Sequence, residues 1–165
     1  ILFQQEIPIL DNDSAGVLHD RLAHLSGEFL IKTLEGMAAN SFKERPQNQD
    51  EATYAPKIGR GMSLIRWDQR AAAVSAHIRA LDPWPGACTT VKGREIKVFS
   101  ARVAEVEAED NLPGKIIGLE EGAIFVQGAE GVVEIREMQM PGKKRLAADD
   151  FLRGFPLEKG TILGS

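Results

Sequence analysis

Apolar positions in this chain recur first at the period of a helix and, from Cys88 onward, at the period of a strand. Ile1–Leu10 reads as a strand, with Leu2, Ile7 and Ile9 toward a buried face. Asp11, Asn12, Asp13 and Ser14 then offer several N-caps, since each side chain can accept from a free N–H of a first helical turn. Leu18, Leu22, Leu25 and Phe29 follow at helical spacing, and Leu30 and Leu34 widen the stripe. Gly36 is expected to end this helix, with Met37 able to extend its last turn. A lone strand and helix cannot bury each other's apolar faces, so the stripe lacks a partner within the chain. Residues 38–66 are a polar connection without period, typified by Arg45-Pro46-Gln47-Asn48-Gln49-Asp50.

Asp68 is the expected N-cap of a helix through Leu81, with Val74, Ile78 and Leu81 as its stripe and His77 packed against a barrel rim. Asp82 precedes a proline and is pushed out of the helical region, so the helix stops. Pro83 and Pro85 fix φ on either side of Trp84, predicting a stiff, extended spacer. A tryptophan so clamped is expected to plug a helix–sheet junction; the alternative is stacking on a nucleic-acid base. Gly86 lets the chain reverse.

Cys88–Val91 then reads as a strand, Lys92-Gly93 as a hairpin turn, and Arg94–Val106 as the returning strand. Ile96 and Val98 face one way, whereas Phe99, Ala101 and Val103 face the other, the phase flip a β-bulge makes. Further strands are predicted over Lys115–Leu119, Ala123–Gln127 and Val132–Met140, with turns at Glu120-Glu121-Gly122 and Gly128-Ala129-Glu130-Gly131. A second flip separates Val133 and Ile135 from Met138 and Met140. Five short, bulged strands suggest a partly open barrel of oligonucleotide-binding (OB) type. Leu146–Arg153 is a last short helix closed by Gly154, with Ala147 at its cap and Asp149 and Asp150 favourably placed in its first turn. Thr161–Leu163 is a candidate closing strand.

At 43% apolar and 27% charged, the chain has the composition of a folded globular protein, and its one cysteine excludes an internal disulfide. No apolar run is long enough to span a membrane. The net charge of −4 speaks against polyanion binding until it is mapped. Residues 57–103 carry nine basic and three acidic side chains, and the excess of acid lies on either side of them. A local positive field, not the total, is what phosphate binding needs.

Arg79-Ala80-Leu81-Asp82-Pro83-Trp84-Pro85-Gly86-Ala87 resembles a signature of methionyl-tRNA formyltransferases. Leu18–Ala23, Ala52–Lys57, Gly142-Lys143-Lys144 and Asp150-Phe151-Leu152-Arg153-Gly154 agree with that family in the same order. The resemblance covers roughly the C-terminal half of the family's length, so the chain is read as a fragment. It implies that residues 1–56 are the last strand and helix of a Rossmann-like catalytic domain, residues 57–66 a linker, and residues 67–165 an OB-like, tRNA-binding barrel. It further implies an enzyme that moves a formyl group from formyl-tetrahydrofolate to the amino group of methionyl initiator tRNA. The asparagine, histidine and aspartate that do this chemistry in the family precede the start of this chain. No catalytic residue, metal or bound cofactor is therefore expected here, and the chain alone should be inactive. A cytoplasmic location and a monomeric full-length enzyme, completed by the missing N-terminal domain, are also implied. Gly59-Arg60-Gly61-Met62 departs from the family's linker and puts its lysine beyond Lys57 in doubt.

What remains is substrate holding. Lys57, Arg60 and Arg66 on the linker, Lys92, Arg94, Lys97 and Arg102 on the first hairpin, and Lys143, Lys144 and Arg145 form a candidate track for tRNA phosphates. The alternative is a solvated polar face, since strands alternate apolar residues with Lys or Arg. Arg79, Pro83, Trp84, Pro85 and Gly86 are read as a structural corner. His19, His24 and Cys88 carry no chemistry. Rival readings are the C-terminal part of a sugar-nucleotide formyltransferase of the UDP-amino-arabinose type, and a non-catalytic RNA-binding or assembly module.

Overall fold

A computed structural model describes residues 1–108 and 112–164, and the chain divides into two units, the first ending at Ile58 and the second beginning at Gly59. In the first unit, helix α1 spans Ala15–Ala38. Of the candidate caps, Ser14 takes the role, its hydroxyl accepting from the Val17 N–H at 3.2 Å. Asp13 instead accepts from the Leu10 N–H and pairs with Arg21 at 2.5 Å. The helix runs past Gly36, which serves a different purpose. A Cβ there would run into the Phe42 ring, so glycine makes the seat for the chain leaving the helix. Phe3 stacks on both Phe42 and Phe29.

The strand expected over Ile1–Leu10 does not form. A strand is defined by a ladder, and among the described residues the backbone–backbone hydrogen bonds of residues 1–10 are the exchange between Ile1 and Arg45 and a turn from the Asp13 N–H to the Leu10 carbonyl. No residue of α1 is buried, and Leu22, Leu30 and Leu34 remain about half exposed. The stripe has no sheet to cover.

Among its described residues the second unit is an antiparallel sheet with two short α-helices and a 3-10 turn at Arg60–Ser63. Strands β1 (Ala87–Val91), β2 (Arg94–Ala104), β3 (Ile116–Glu120), β4 (Ala123–Gln127) and β5 (Val132–Gln139) lie in the order β1-β2-β5-β4-β3, and β6 (Leu146–Ala147) pairs with β5. The Lys92-Gly93 turn has both residues at positive φ, as a tight hairpin requires. The two predicted phase flips are one feature. Ser100, at φ +50°, and Arg136 drop out of the β2–β5 ladder opposite each other, and the register is the same on both sides. Ile96 and Val98 before the flip and Ala101 after it all reach the core, as do Met138 and then Ile135 and Val133. Phe99 is buried outside that core cluster, and Val103 is about half exposed.

Helix α2 (Ala71–Ala80) lays Ala71, Val74 and Ile78 on the sheet. Asp68 is not its cap. Its carboxylate forks with Arg66 at 2.9 and 3.4 Å, and the Ala71 N–H is satisfied by the Glu130 carbonyl at 2.7 Å. The β4–β5 turn thus does the capping. Helix α3 (Ala148–Gly154) begins later than expected because Leu146 and Ala147 are drawn into β6. Its cap residue, Ala147, supplies no side-chain acceptor.

The sheet is open, its edges β1 and β3 joined by no ladder. The tail lies in the gap: the Ile116 N–H donates to the Thr161 carbonyl and the Leu163 N–H to the Gly114 carbonyl, each at 2.8 Å, across β3's edge, and the Gly164 N–H donates to the Thr90 carbonyl of β1 at 2.7 Å. Ser63 and Ile65, inside the expected linker, are buried, with the Ile65 N–H on the Cys88 carbonyl at 2.8 Å.

Candidate nucleic-acid interface

The Asp82–Gly86 corner is a tight turn, not an extended spacer. The Gly86 N–H closes on the Leu81 carbonyl at 2.8 Å, Gly86 takes φ +83°, and both X–Pro bonds are cis. A Cβ on Gly86 would lie 3.0 Å from the Lys97 side chain and 3.1 Å from the Phe99 ring, so glycine lets the corner sit directly on β2. Closing the turn carries its apex away from the sheet, and Trp84 is 74% exposed. The expected plug is therefore not Trp84. Leu81 and Ile78 fill the junction, and Trp67 is the buried tryptophan, its indole N–H donating to Thr89 Oγ1 at 3.0 Å.

Beneath this corner the structure assembles a polar network that periodicity could not show. Arg145 forks onto Asp82 at 2.7 and 3.0 Å, reaches Glu137 at 2.5 and 3.0 Å, and donates to Ser100 Oγ at 2.9 Å. Its guanidinium lies 4.2 Å from the Phe99 ring centroid, and the Ser100 hydroxyl donates to Glu137. Burial pushes the Glu137 carboxyl up, but Ser100 and Arg145 outweigh it and hold the group below its ordinary range. Burial likewise opposes the charge on Arg145, and Asp82 and Glu137 reverse that effect. A bidentate arginine with two carboxylates ties the corner, β2 and β5 together. Arg79 adds a long hydrogen bond to the Ala101 carbonyl, in keeping with an anchoring role at the junction.

The other basic residues of the expected track divide by what they touch. Arg102 pairs with the buried Glu134 at 2.6 Å, and Glu134 also holds Arg136. Arg66 is forked with Asp68. Lys92 and Arg94 each lie 5.8 Å from the Phe155 ring, and Lys92 Nζ also donates to the Pro156 carbonyl. Lys97 Nζ donates to the Pro85 carbonyl at 2.7 Å, immediately beside Trp84. Lys97 faces Gln139 across the ladder, and the Gln139 amide donates to the Lys143 carbonyl. Lys143 and Lys144 are exposed, two residues and one residue before the Arg145 anchor, and Lys57 is exposed in the first unit. The Arg60 side chain lies outside the described residues. Two positive groups result: exposed Lys92 with Arg94 at the hairpin tip, and half-buried Lys97 at the corner with exposed Lys143 and Lys144 on the loop leading to Arg145.

A family model described as "Formyl transferase, C-terminal domain" matches residues 57–156, which are most of the chain and contain both groups. The chain belongs to the formyl transferase C-terminal domain family. It is 38% identical over 99% of its length to a methionyl-tRNA formyltransferase of Alkaliphilus oremlandii, and 37% identical over the same share to that of Pelotomaculum thermopropionicum. The matches cover 53% and 52% of those proteins, so the chain spans about half the length of the curated relatives it matches. Among solved structures, HypX from Aquifex aeolicus in complex with tetrahydrofolic acid superposes with a TM-score of 0.69 at 23% identity, over 96% of this chain and 30% of that one. The sugar 3N-formyl transferase WlaRD gives 0.56 at 17%, over 84% and 48%. These two likenesses concern the fold.

Within this formyl transferase domain, no group of three or more His, Cys, Asp or Glu could hold a metal among the described residues. No helix there is long and apolar enough to cross a membrane. Cys88 is buried, and burial pushes its thiol above the ordinary value, which leaves little thiolate for nucleophilic work. The chemistry the site offers is cationic and aromatic recognition.

Proposed function

We propose that this chain is the C-terminal, tRNA-holding half of a methionyl-tRNA formyltransferase. The whole enzyme would transfer a formyl group from formyl-tetrahydrofolate to the amino group of methionyl initiator tRNA, with the formyl donor and the reacting groups handled by the other half. Residues 1–56 would end the catalytic domain, residues 57–66 would link it, and the open sheet would serve as an OB-like barrel. A cytoplasmic, monomeric enzyme fits this reading. The observation that carries it is the end-to-end relationship to proteins of this name, at 37–38% identity over 99% of the chain. Lys92, Arg94, Lys143 and Lys144 support it as exposed cations, and Lys97 as a half-buried one at the corner. Arg60, Arg66 and Arg102 would extend the proposed track on the second unit, and Lys57 is proposed as a phosphate contact of the first. Arg145 would act from beneath it.

The test is a titration of the chain with initiator tRNA at two salt concentrations, with a UDP-sugar as the competing ligand. The affinity for tRNA should fall with salt, with a log–log slope of roughly 0.7–0.9 per phosphate neutralised. Charge reversal of Lys92, Arg94 and Lys97 together should lower affinity and slope without unfolding the domain, the lost contacts to Pro85, Pro156 and Phe155 lowering the melting temperature only modestly. Saturable UDP-sugar binding without tRNA binding would overturn the assignment in favour of a sugar-nucleotide enzyme.

A further inference from the structure

The corner carries an aromatic surface that its structural role does not consume. Trp84 is the more exposed of the two tryptophans by far, at 74% against 5% for Trp67. Large aromatics exposed on a soluble surface mark interaction sites more often than scattered aliphatic ones do. The indole is also mounted on a fixed support. Pro83 and Pro85 restrict the backbone on both sides, Asp82 is forked by Arg145, the Pro85 carbonyl is held by Lys97, and Gly86 seats the turn against Phe99. Little freedom remains to be lost when a ligand binds.

The surroundings define the ligand. Lys97 sits against the next residue, and Lys143 and Lys144 come from the loop that Arg145 ties to Asp82. Two acidic groups beneath this corner, Asp82 and Glu137, are both committed to Arg145, and Glu95 lies two residues from Lys97 along β2. An exposed aromatic plane with one half-buried cation beside it and two exposed cations on the neighbouring loop suits a group that is flat and apolar in one part and anionic in another. An unpaired nucleotide meets this description: its base stacks and its phosphate is neutralised.

We infer that Trp84 is a base-stacking platform for an unpaired nucleotide of a bound RNA, with Lys97, Lys143 and Lys144 taking the flanking phosphates and Arg145 acting as the residue that positions the corner. This deepens the proposed tRNA-holding role and rests on it. Stacking is tolerant of sequence, because every base has a π-face. The platform therefore needs a base that is not paired, and not a particular base.

The test uses the 165-residue chain, initiator tRNA, an RNA duplex without unpaired nucleotides, and inorganic polyphosphate. Trp84 emission should be quenched by the tRNA and left unchanged by the duplex and by polyphosphate, even where these bind. Trp84→Ala should weaken tRNA binding roughly 5- to 100-fold and the other two ligands less than about twofold, whereas Trp84→Phe should keep most of the affinity. Emission from buried Trp67 shows that each variant is folded. An unquenched Trp84 at saturating tRNA, or a Trp84→Ala affinity within twofold of the parent, overturns the platform. If salt-dependent tRNA binding persists in that case, the tRNA-holding role stands and only the stacking site falls. If the parent chain binds no tRNA at all, both fall.

Discussion

Replacing Arg145 separates a structural anchor from a phosphate contact. Arg145→Ala removes five hydrogen bonds from two carboxylates and one hydroxyl. It strands Asp82, which is 7% exposed, and leaves Glu137 without its counter-charge. Deleting one partner of a fully buried ion pair costs about 3–5 kcal/mol. The Arg145 side chain is 30% exposed, so solvent recovers part of that, and about 2–4 kcal/mol is the expected loss. For a domain of this size that lowers Tm by on the order of 10–20 °C. Arg145→Lys keeps the charge and loses the fork, and should fall between the parent and the alanine variant. Urea unfolding of the three chains at neutral pH, followed through Trp67, measures the difference. The penalty should shrink in acid. Glu137 titrates below its ordinary value in the folded state, so the stability it confers is complete above pH 4.5 and is lost as pH falls through the folded value. An alanine variant within about 0.5 kcal/mol of the parent would refute the reasoning. Arg145 would then be a surface cation, and its loss should appear instead as a tRNA salt slope smaller by about one.

Two more outcomes come from elements the fold leaves imperfect. Ala147→Ser should stabilise the domain by about 1 kcal/mol, since α3's cap position has extended geometry but no side-chain acceptor; an unchanged midpoint in urea would show that β6 pairing forbids the cap. His77 is held below its ordinary 6.5 by burial, against a backbone hydrogen bond at Ser63 that raises it. The unfolded chain therefore binds the proton first, and stability should decline as pH falls below about 6.5 toward the folded value. His77→Gln should flatten that limb of a pH–stability curve, and an unaltered slope would assign it to another group.

Elements with a strong local signal were legible in the residues alone. Ala123–Gln127 forms over the expected bounds, the Lys92-Gly93 turn forms where its chemistry demands, and the interrupted alternation in β2 and β5 marks the flip at Ser100. Ser14 caps α1 because a hydroxyl there satisfies a free N–H whatever else surrounds it. The positive excess of residues 57–103 was visible as well. Its division was not, because an ion pair such as Arg102–Glu134 joins residues that are neighbours only after the strands pair.

The linear pattern was enough to place α1, α2 and β1–β5 to within a few residues and most of their apolar positions, since these derive from propensity and period within a short stretch. Packing decided the rest. Ile1–Leu10 did not become a strand for want of a ladder, and Asp68 lost its capping role to a carbonyl supplied from Glu130. Trp84 was left outside, and Leu81 and Ile78 are the buried side chains at the junction it was expected to plug. Burial and pairing are settled by competition among distant residues for the same volume and the same hydrogen bonds, and no local stretch contains both competitors.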